Sequence, residues 1–479
     1  MGKIRRRHTQ YVVFMALRPL KRRFFPLLIG GILVIAGAVR VRGEAANSST
    51  LASFAGSNGN GPYAGLLKSA DGNFYGTTWQ GGTNGLPLGL GTIFKLDPAG
   101  SLTTLVSFSG DNGAKPSAAL IQTPDGNLYG TTWQGGSSNL GTVFRVTTNG
   151  NLTTLLSFTN GNGAKPSARL TLGGDGLLYG TTQSGGANDK GTVFRMTTNG
   201  LLTTLQSFNT TNGAKPNANI IQGRDGSFYG TTVNGGLLDA GTVFRVTTNG
   251  TLTTLFSFGD TNGANPYGGL AQGADGVLYG TTAYGGTKGY GIIFRITTNG
   301  SLTTMHTFTG GDDGANPWSS LMRGIDDTFY GTTILGGPAT SAGTWGTVFQ
   351  IATNGQFSSL ASFGFTANGV SPYGSLVQDA TGDLYGTTYS GGTGLRGTVF
   401  RLIPGQPTLA AALQPPNSFR LSWGAWLGKT YQVQYRTNVT QTGWIDFGNT
   451  LVATNGTTTV NDATSSPARF YRVRLLVTP

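Results

Sequence analysis

The chain has 479 residues, 80 of them glycine. It has no cysteine and two histidines, His8 and His306. Glycine without a Gly-X-Y period excludes collagen, 37% apolar and 10% aromatic residues exclude a disordered chain, and absent cysteine excludes disulfide scaffolds, zinc-thiolate centres and thiol catalysis. Of the net charge of +13, +9 lies in residues 1–45, so the dispersed +4 elsewhere is no footprint for phosphate and no nucleic-acid partner is expected.

The N-terminus comes first. Basic residues precede the apolar run Phe24 to Val39 (FFPLLIGGILVIAGAV), and small residues follow around Gly43-Glu44-Ala45. This is the order of an export signal, with cleavage expected after Ala45. Sixteen helical residues span about 24 Å, less than the roughly 30 Å hydrocarbon core. The alternative is an uncleaved membrane anchor over residues 24–39, because the basic stretch is long and Arg40 and Arg42 follow the run. Either way residues 1–45 are a targeting segment, and the remainder is expected outside the cytoplasm, secreted or at the cell surface.

From residue 50 to 402 the chain repeats itself. YGTT begins at Tyr75, Tyr129, Tyr179, Tyr229, Tyr279, Tyr330 and Tyr385. Each copy is followed by Gly-Gly, then GT(V/I)F (Gly291-Ile292 deviates), then LTTLxSF, then a proline that opens the next unit. In the second unit the pattern predicts strands over Ser117–Gln122, Asn127–Thr132, Gly141–Thr147 and Leu152–Phe158. The intervening Asp125-Gly126 and Asn149-Gly150 predict type I′ hairpin turns. Four antiparallel strands per roughly 50 residues is the size of a propeller blade.

The register argues for closure. The array opens with a fourth strand (Leu51 to Phe54) and ends with a third (Gly397 to Leu402). Pairing the two completes a seventh blade and leaves no exposed edge. The expected fold is all-β: a closed seven-bladed propeller over 50–402 followed by a small sandwich.

The unit YGTTxxGG…GTVFRxTTNGxLTTLxSF resembles the GloVer (Gloeobacter–Verrucomicrobia) tandem repeat, found in large exported bacterial proteins with variable C-terminal anchors. The layout is also kelch-like, without the tryptophan that kelch units carry near strand four. The resemblance implies a secreted or surface protein and no established activity.

Prolines at 404, 407, 415 and 416 mark a boundary, and 407–479 is different. Alternation in Tyr431, Val433, Tyr435 and in Tyr471, Val473, Leu475, with Trp423 ending FRLSW, resembles a fibronectin-III or immunoglobulin-like sandwich. About six strands fit, so a final strand is missing from that pattern. No covalent-anchor motif or apolar tail follows.

Chemistry is sparse. No cofactor, nucleotide or metal motif is present and no catalytic residue is assigned; Asp312-Asp313 and Asp326-Asp327 supply too few oxygens for a calcium loop. The recurring basic residue of strand three and the turn acid read as structural partners. Two positions on one face vary between blades. After the proline they are Tyr63, Ser117, Ser167, Asn217, Tyr267, Trp318 and Tyr373. After YGTT they are Trp79, Trp133, Gln183, Val233, Ala283, Ile334 and Tyr389. The aromatic members Tyr63, Trp79, Trp133, Tyr267, Trp318, Tyr373 and Tyr389 form a continuous arc over blades five, six, seven, one and two. Aromatic faces edged by amides and hydroxyls suit stacking on sugars. The alternative is that these rings fill gaps between blades or plug the channel. The expected function is a non-enzymatic exported interaction platform whose partner is a polysaccharide or a surface protein. The alternatives are a glycan-active hydrolase or lyase with acids in its channel, or purely structural surface material. A carboxylate facing the channel at the aromatic end would favour the enzyme.

Overall fold

The computed structural model describes residues 39–40, 47–85, 88–337, 345–364 and 368–404, and in the tail 409–414, 418–424, 430–437, 441, 443–452, 457–462 and 470–476. Residues 24–38 and the cleavage point after Ala45 lie outside these. The chain divides into two units, 47–404 and 1–46 with 405–479.

The first unit contains seven antiparallel sheets of one design. In blade 2 the strands are Ile121–Gln122, Leu128–Thr132, Thr142–Val146 and Leu152–Ser157, paired in that order. Strand one is shorter than expected because the preceding backbone is used elsewhere: the Ala118 carbonyl accepts from Thr77 Oγ1 of blade 1 at 3.0 Å. The first YGTT threonine repeats this bond in every blade, at 2.9–3.5 Å. The set closes where Thr387 of blade 7 donates to Ala64 O of blade 1.

The seam is sealed as the register argued. Asn47–Ser53 pairs antiparallel with Thr398–Ile403, with Thr50 opposite Phe400 and Ala52 opposite Val399. Phe54 packs edge-on against Phe94 of blade 1 at 5.1 Å and is fully buried. The cores lie between blades. One cluster joins Tyr75, Ile93 and Phe108 of blade 1 to Leu120, Leu128, Phe144 and Val146 of blade 2. The YGTT glycine belongs to this packing: a Cβ on Gly130 would sit 2.5 Å from Phe144 Cζ. The YGTT tyrosine is buried, and its hydroxyl donates to the turn aspartate of its own blade at 2.6–3.3 Å in all seven blades.

The turns differ from the type I′ expectation. Asp125 and Asn149 keep negative φ, and only Gly126 (80°) and Gly150 (96°) are left-handed. Gly126 N donates to Thr123 O and Thr123 N to Asn127 O, which is a three-residue loop ending in a glycine bulge. The Asp125 carboxylate favours this form because it accepts from Asn127 N and from Tyr129 Oη, which ties the turn to its own blade.

In the second unit, Leu409–Gln414, Ser418–Gly424 and Thr457–Asp462 form one sheet, with Val39–Arg40 added at its edge. Thr430–Arg436 lies between Ile445–Val452 and Phe470–Leu476 in another. Leu421 of the first sheet shares one core with Tyr431, Val433, Tyr471 and Val473 of the second, so the tail is a small sandwich.

Candidate binding face at the channel mouth

Both hairpin turns of each blade lie on one face of the ring. The Gly-Gly loops and the proline entries lie on the other, and the candidate residues belong to this second face. Its shape begins with the residue before each proline. Lys115, Lys165, Lys215, Asn265, Asn316 and Ser371 all hold φ between 53° and 57°. The reason is a double bond to the frame: Lys115 N donates to Leu90 O of the preceding blade, and Lys115 O accepts from Trp133 N of its own. The next residue but one is thereby turned toward the sevenfold axis. In blade 1 the residue is Gly61, where a Cβ would lie 2.8 Å from Tyr389 Cε2, so its missing side chain admits the blade 7 ring.

The seven aromatic residues form one connected network and each is half-buried. Ring centroids run Trp133–Trp79 5.5 Å, Trp79–Tyr63 6.2 Å, Tyr63–Tyr373 4.8 Å, Tyr373–Trp318 5.7 Å and Trp318–Tyr267 3.7 Å. Tyr389 stands edge-on to Tyr63 and Tyr373. Burial, aided by neighbouring phenols, raises the Tyr63, Tyr267 and Tyr373 hydroxyls above the ordinary tyrosine value, so they stay neutral donors. Across the blades without aromatics a polar chain completes the circuit. Trp133 Nε1 donates to Gln183 Oε1 (3.2 Å), Gln183 Nε2 to Asn217 Oδ1 (2.5 Å), and Asn217 Nδ2 to Tyr267 O (3.3 Å). The corresponding Val233, Ala283 and Ile334 are buried as packing.

Two cavities adjoin here. A cup of about 390 Å³ is lined by Tyr63, Trp79, Trp133, Tyr373 and Tyr389 together with Ser117, Ser167, Gln183 and Asn217. A channel of about 440 Å³ lies beneath it. Five residues (Tyr63, Ser117, Ser167, Asn217 and Tyr373) line both and form the doorway. Five of the seven expected site residues therefore line the cup. Tyr267 and Trp318 stack on each other and line the channel instead. Lysines flank the indoles: Lys115 Nζ is 5.6 Å from the Trp79 ring and Lys165 Nζ is 5.0 Å from Trp133.

No carboxylate lines either cavity. The turn aspartates are at the opposite face, bonded to tyrosines; Asp71 and Asp225 also pair with Lys95 and Arg245 of strand three, and in blade 7 Arg401 pairs with Asp383 while Tyr385 bonds to Asp379. Asp326 accepts from Tyr330, and Asp327 from Arg323. His306 stacks on Phe357 at 3.9 Å with Nε2 3.1 Å from Asp313 Oδ2; burial lowers its pKa against the opposing pull of Asp313. Among the described residues no group of acids and histidines is placed to hold a metal.

One residue escaped the sequence reading. Arg169 lines the channel, exposed to its interior, two residues beyond Ser167. The same position holds Gly65, Ala119, Asn219, Gly269, Ser320 and Ser375 in the other blades. Enclosure by the channel walls lowers its guanidinium pKa, yet arginine starts far above neutrality and stays charged. The signal was a single charged residue at an otherwise small position, visible when the seven copies are set in register.

A family model described as the Gloeobacter/Verrucomicrobia repeat matches residues 36–224, 172–344 and 311–419. No curated protein matches the sequence. Among solved structures, the BP39L lectin from Burkholderia pseudomallei aligns at TM-score 0.46 and 10% identity, covering 80% of this chain and 96% of the lectin. A candidate 6-phosphogluconolactonase from Bacteroides fragilis aligns at 0.43 and 16%, covering 83% and 98%. A polysaccharide lyase described as a PL25 ulvan lyase bound to -[GlcA(1-4)Rha3S]- aligns at 0.42 and 11%, covering 77% and 96%. These likenesses concern the fold and bear on no activity.

Proposed function

The chain belongs to the Gloeobacter/Verrucomicrobia repeat family, and we propose that it is an exported, non-enzymatic platform that binds glycans in the cup on its aromatic face. One observation carries this reading. Partly open indole and phenol rings share a 390 Å³ cup with Ser117, Ser167, Gln183 and Asn217, and no carboxylate is among its lining residues. Ring faces offer stacking surface to sugar C–H groups, and the amides and hydroxyls beside them offer directional bonds to sugar hydroxyls. Export rests on the order of basic, apolar and small residues at the N-terminus.

A glycan array probed with the full chain tests the binding. Binding that is lost in the Trp79→Ala/Trp133→Ala double variant, with unfolding unchanged in cooperativity, supports the reading. Equal glycan binding by both proteins would locate recognition elsewhere, and no binding by either would remove it.

A further inference from the structure

Arg169 is the charged residue whose role the fold does not explain. The equivalent position of every other blade carries a side chain no larger than asparagine, so nothing in the sevenfold packing calls for a guanidinium there. Among the described residues it has no ion pair and no hydrogen-bond partner. It shares the channel with one other charged residue, Lys68, which donates to Gly72 O. Its neighbours in the channel include Asn219, Ser320 and Ser375. Ser320 Oγ donates to Asn219 Oδ1 and accepts from Gly269 N, so these groups are fixed rather than turned to the arginine. Ser117, at the doorway, has a buried hydroxyl with no partner among the described residues.

A second, independent asymmetry points the same way. The residue before the proline is lysine in blades 2, 3 and 4 (Lys115, Lys165 and Lys215) and uncharged in the other four. None of the three is in an ion pair among the described residues. The acids of neighbouring loops are engaged with backbone: Asp189 Oδ1 accepts from Gly185 N and Asp239 Oδ1 from Gly235 N. The cationic arc thus stands above Arg169 on the side of the mouth where Ser117, Ser167 and Asn217 leave the doorway unobstructed by rings. Arg169 lies within about 7 Å of chain from Ser167, the doorway residue of its own blade.

Resting on the glycan reading above, we infer that the cup takes an acidic sugar whose carboxylate or sulfate passes the doorway on the side lined by Ser117 and by the hydrogen-bonded pair Ser167 and Asn217, and is held by Arg169. The ring of that sugar stays against Trp79, Trp133 and Tyr63. Guanidinium is suited to this because its planar fork donates two parallel bonds to an oxyanion. The lysine arc raises the local concentration of a polyanionic chain.

The test is calorimetric titration of the full chain with four probes: oligogalacturonate, its methyl ester, a sulfated galactan oligosaccharide and a neutral glucan oligosaccharide. Oligogalacturonate or the sulfated probe should bind about 10- to 100-fold more tightly than the ester and the neutral glucan. That ratio should collapse toward one in Arg169→Gln and survive in part in Arg169→Lys. Preference for the first or the second probe identifies carboxylate or sulfate as the group held. A protection of melting temperature by the acidic probe in the unsubstituted chain, absent with its ester, gives the same answer if Arg169→Gln folds poorly. Binding of all probes with equal affinity, abolished by Trp79→Ala/Trp133→Ala, would overturn the anion site and leave the glycan reading standing. An unchanged ratio in Arg169→Gln would also overturn it. Failure of every probe would overturn both.

Discussion

Phe54→Ala tests ring closure quantitatively, because an internal control exists. Phe54 is fully buried at the seam and meets Phe94 edge-on at 5.1 Å and 65°. Phe158, its counterpart in blade 2, is as buried and meets Phe194 at 5.5 Å and 63°. Removing either ring forfeits about 1.5–3 kcal/mol of burial and about 0.5–1.5 kcal/mol of aromatic pairing, and leaves a cavity. Together these give about 3–5 kcal/mol. In a sealed ring both variants should lose that amount in one cooperative urea transition, with similar slopes. In an open array the seam strand would fray at little cost, and Phe54→Ala would fall below about 1 kcal/mol while Phe158→Ala kept its full effect. Such a split between the two midpoints would refute closure.

Other outcomes follow from the same frame. Gly130→Ala places a Cβ 2.5 Å from Phe144 Cζ and should cost about 1–3 kcal/mol in denaturant, part of it recovered by adding Phe144→Leu. Burial, reinforced by bonds to Asp175 and Asp225, raises the Tyr179 and Tyr229 hydroxyls to about 12. Since the folded values exceed the unfolded value of about 10, this stability is complete below pH 10 and is lost as pH rises through 12; Tyr229→Phe should blunt the alkaline fall in melting temperature. At the other end, burial works to raise Asp71 and Asp225, but hydrogen bonds from Asn73, Tyr75, Tyr229 and Ser227 hold both below the usual carboxylate range. Their contribution is therefore present above about pH 4 and lost as pH falls through the folded values, which an acid titration of circular dichroism would follow. Tryptophan fluorescence of Trp79→Ala and Trp133→Ala should report loss of half-buried rings at less than the full-burial cost of about 3–5 kcal/mol each.

The fold was legible because each blade must solve the same packing problem, and the solution leaves one residue pattern per strand. Gly130 beside Phe144 and Tyr129 bonded to Asp125 are two such couplings, and both recur as sequence identities. The turn type was not legible, since Asp-Gly suits both a two-residue and a three-residue hairpin and the choice is made by the carboxylate of Asp125 toward Tyr129. Strand one was overestimated for a related reason: a carbonyl such as Ala118 O, spent on the preceding blade's threonine, carries no residue signature. At the mouth, variation between copies located the aromatic residues, whereas their division between cup and channel depends on ring orientation. Only coordinates show that Trp318 turns onto Tyr267 while Trp79 turns onto Trp133. Arg169 was hidden by its surroundings in sequence, standing in a run of repeat-conserving residues with no motif around it.

The stack between Tyr63 and Tyr373 crosses the seam, and this has a consequence for how the protein matures. Tyr63 comes from the first blade translated and Tyr373, stacked on it, from the last, so neither ring has the other while the chain is incomplete. The aromatic circuit is therefore not an early-acquired feature that later blades merely embellish; it is completed when residues near 400 pair with residues near 50. A chain cut short of its last blade keeps Tyr63, Ser117, Ser167 and Asn217 but lacks Tyr373 and the closed circuit. The completed doorway thus reports on completed folding, and the proposed glycan binding would be confined to closed rings.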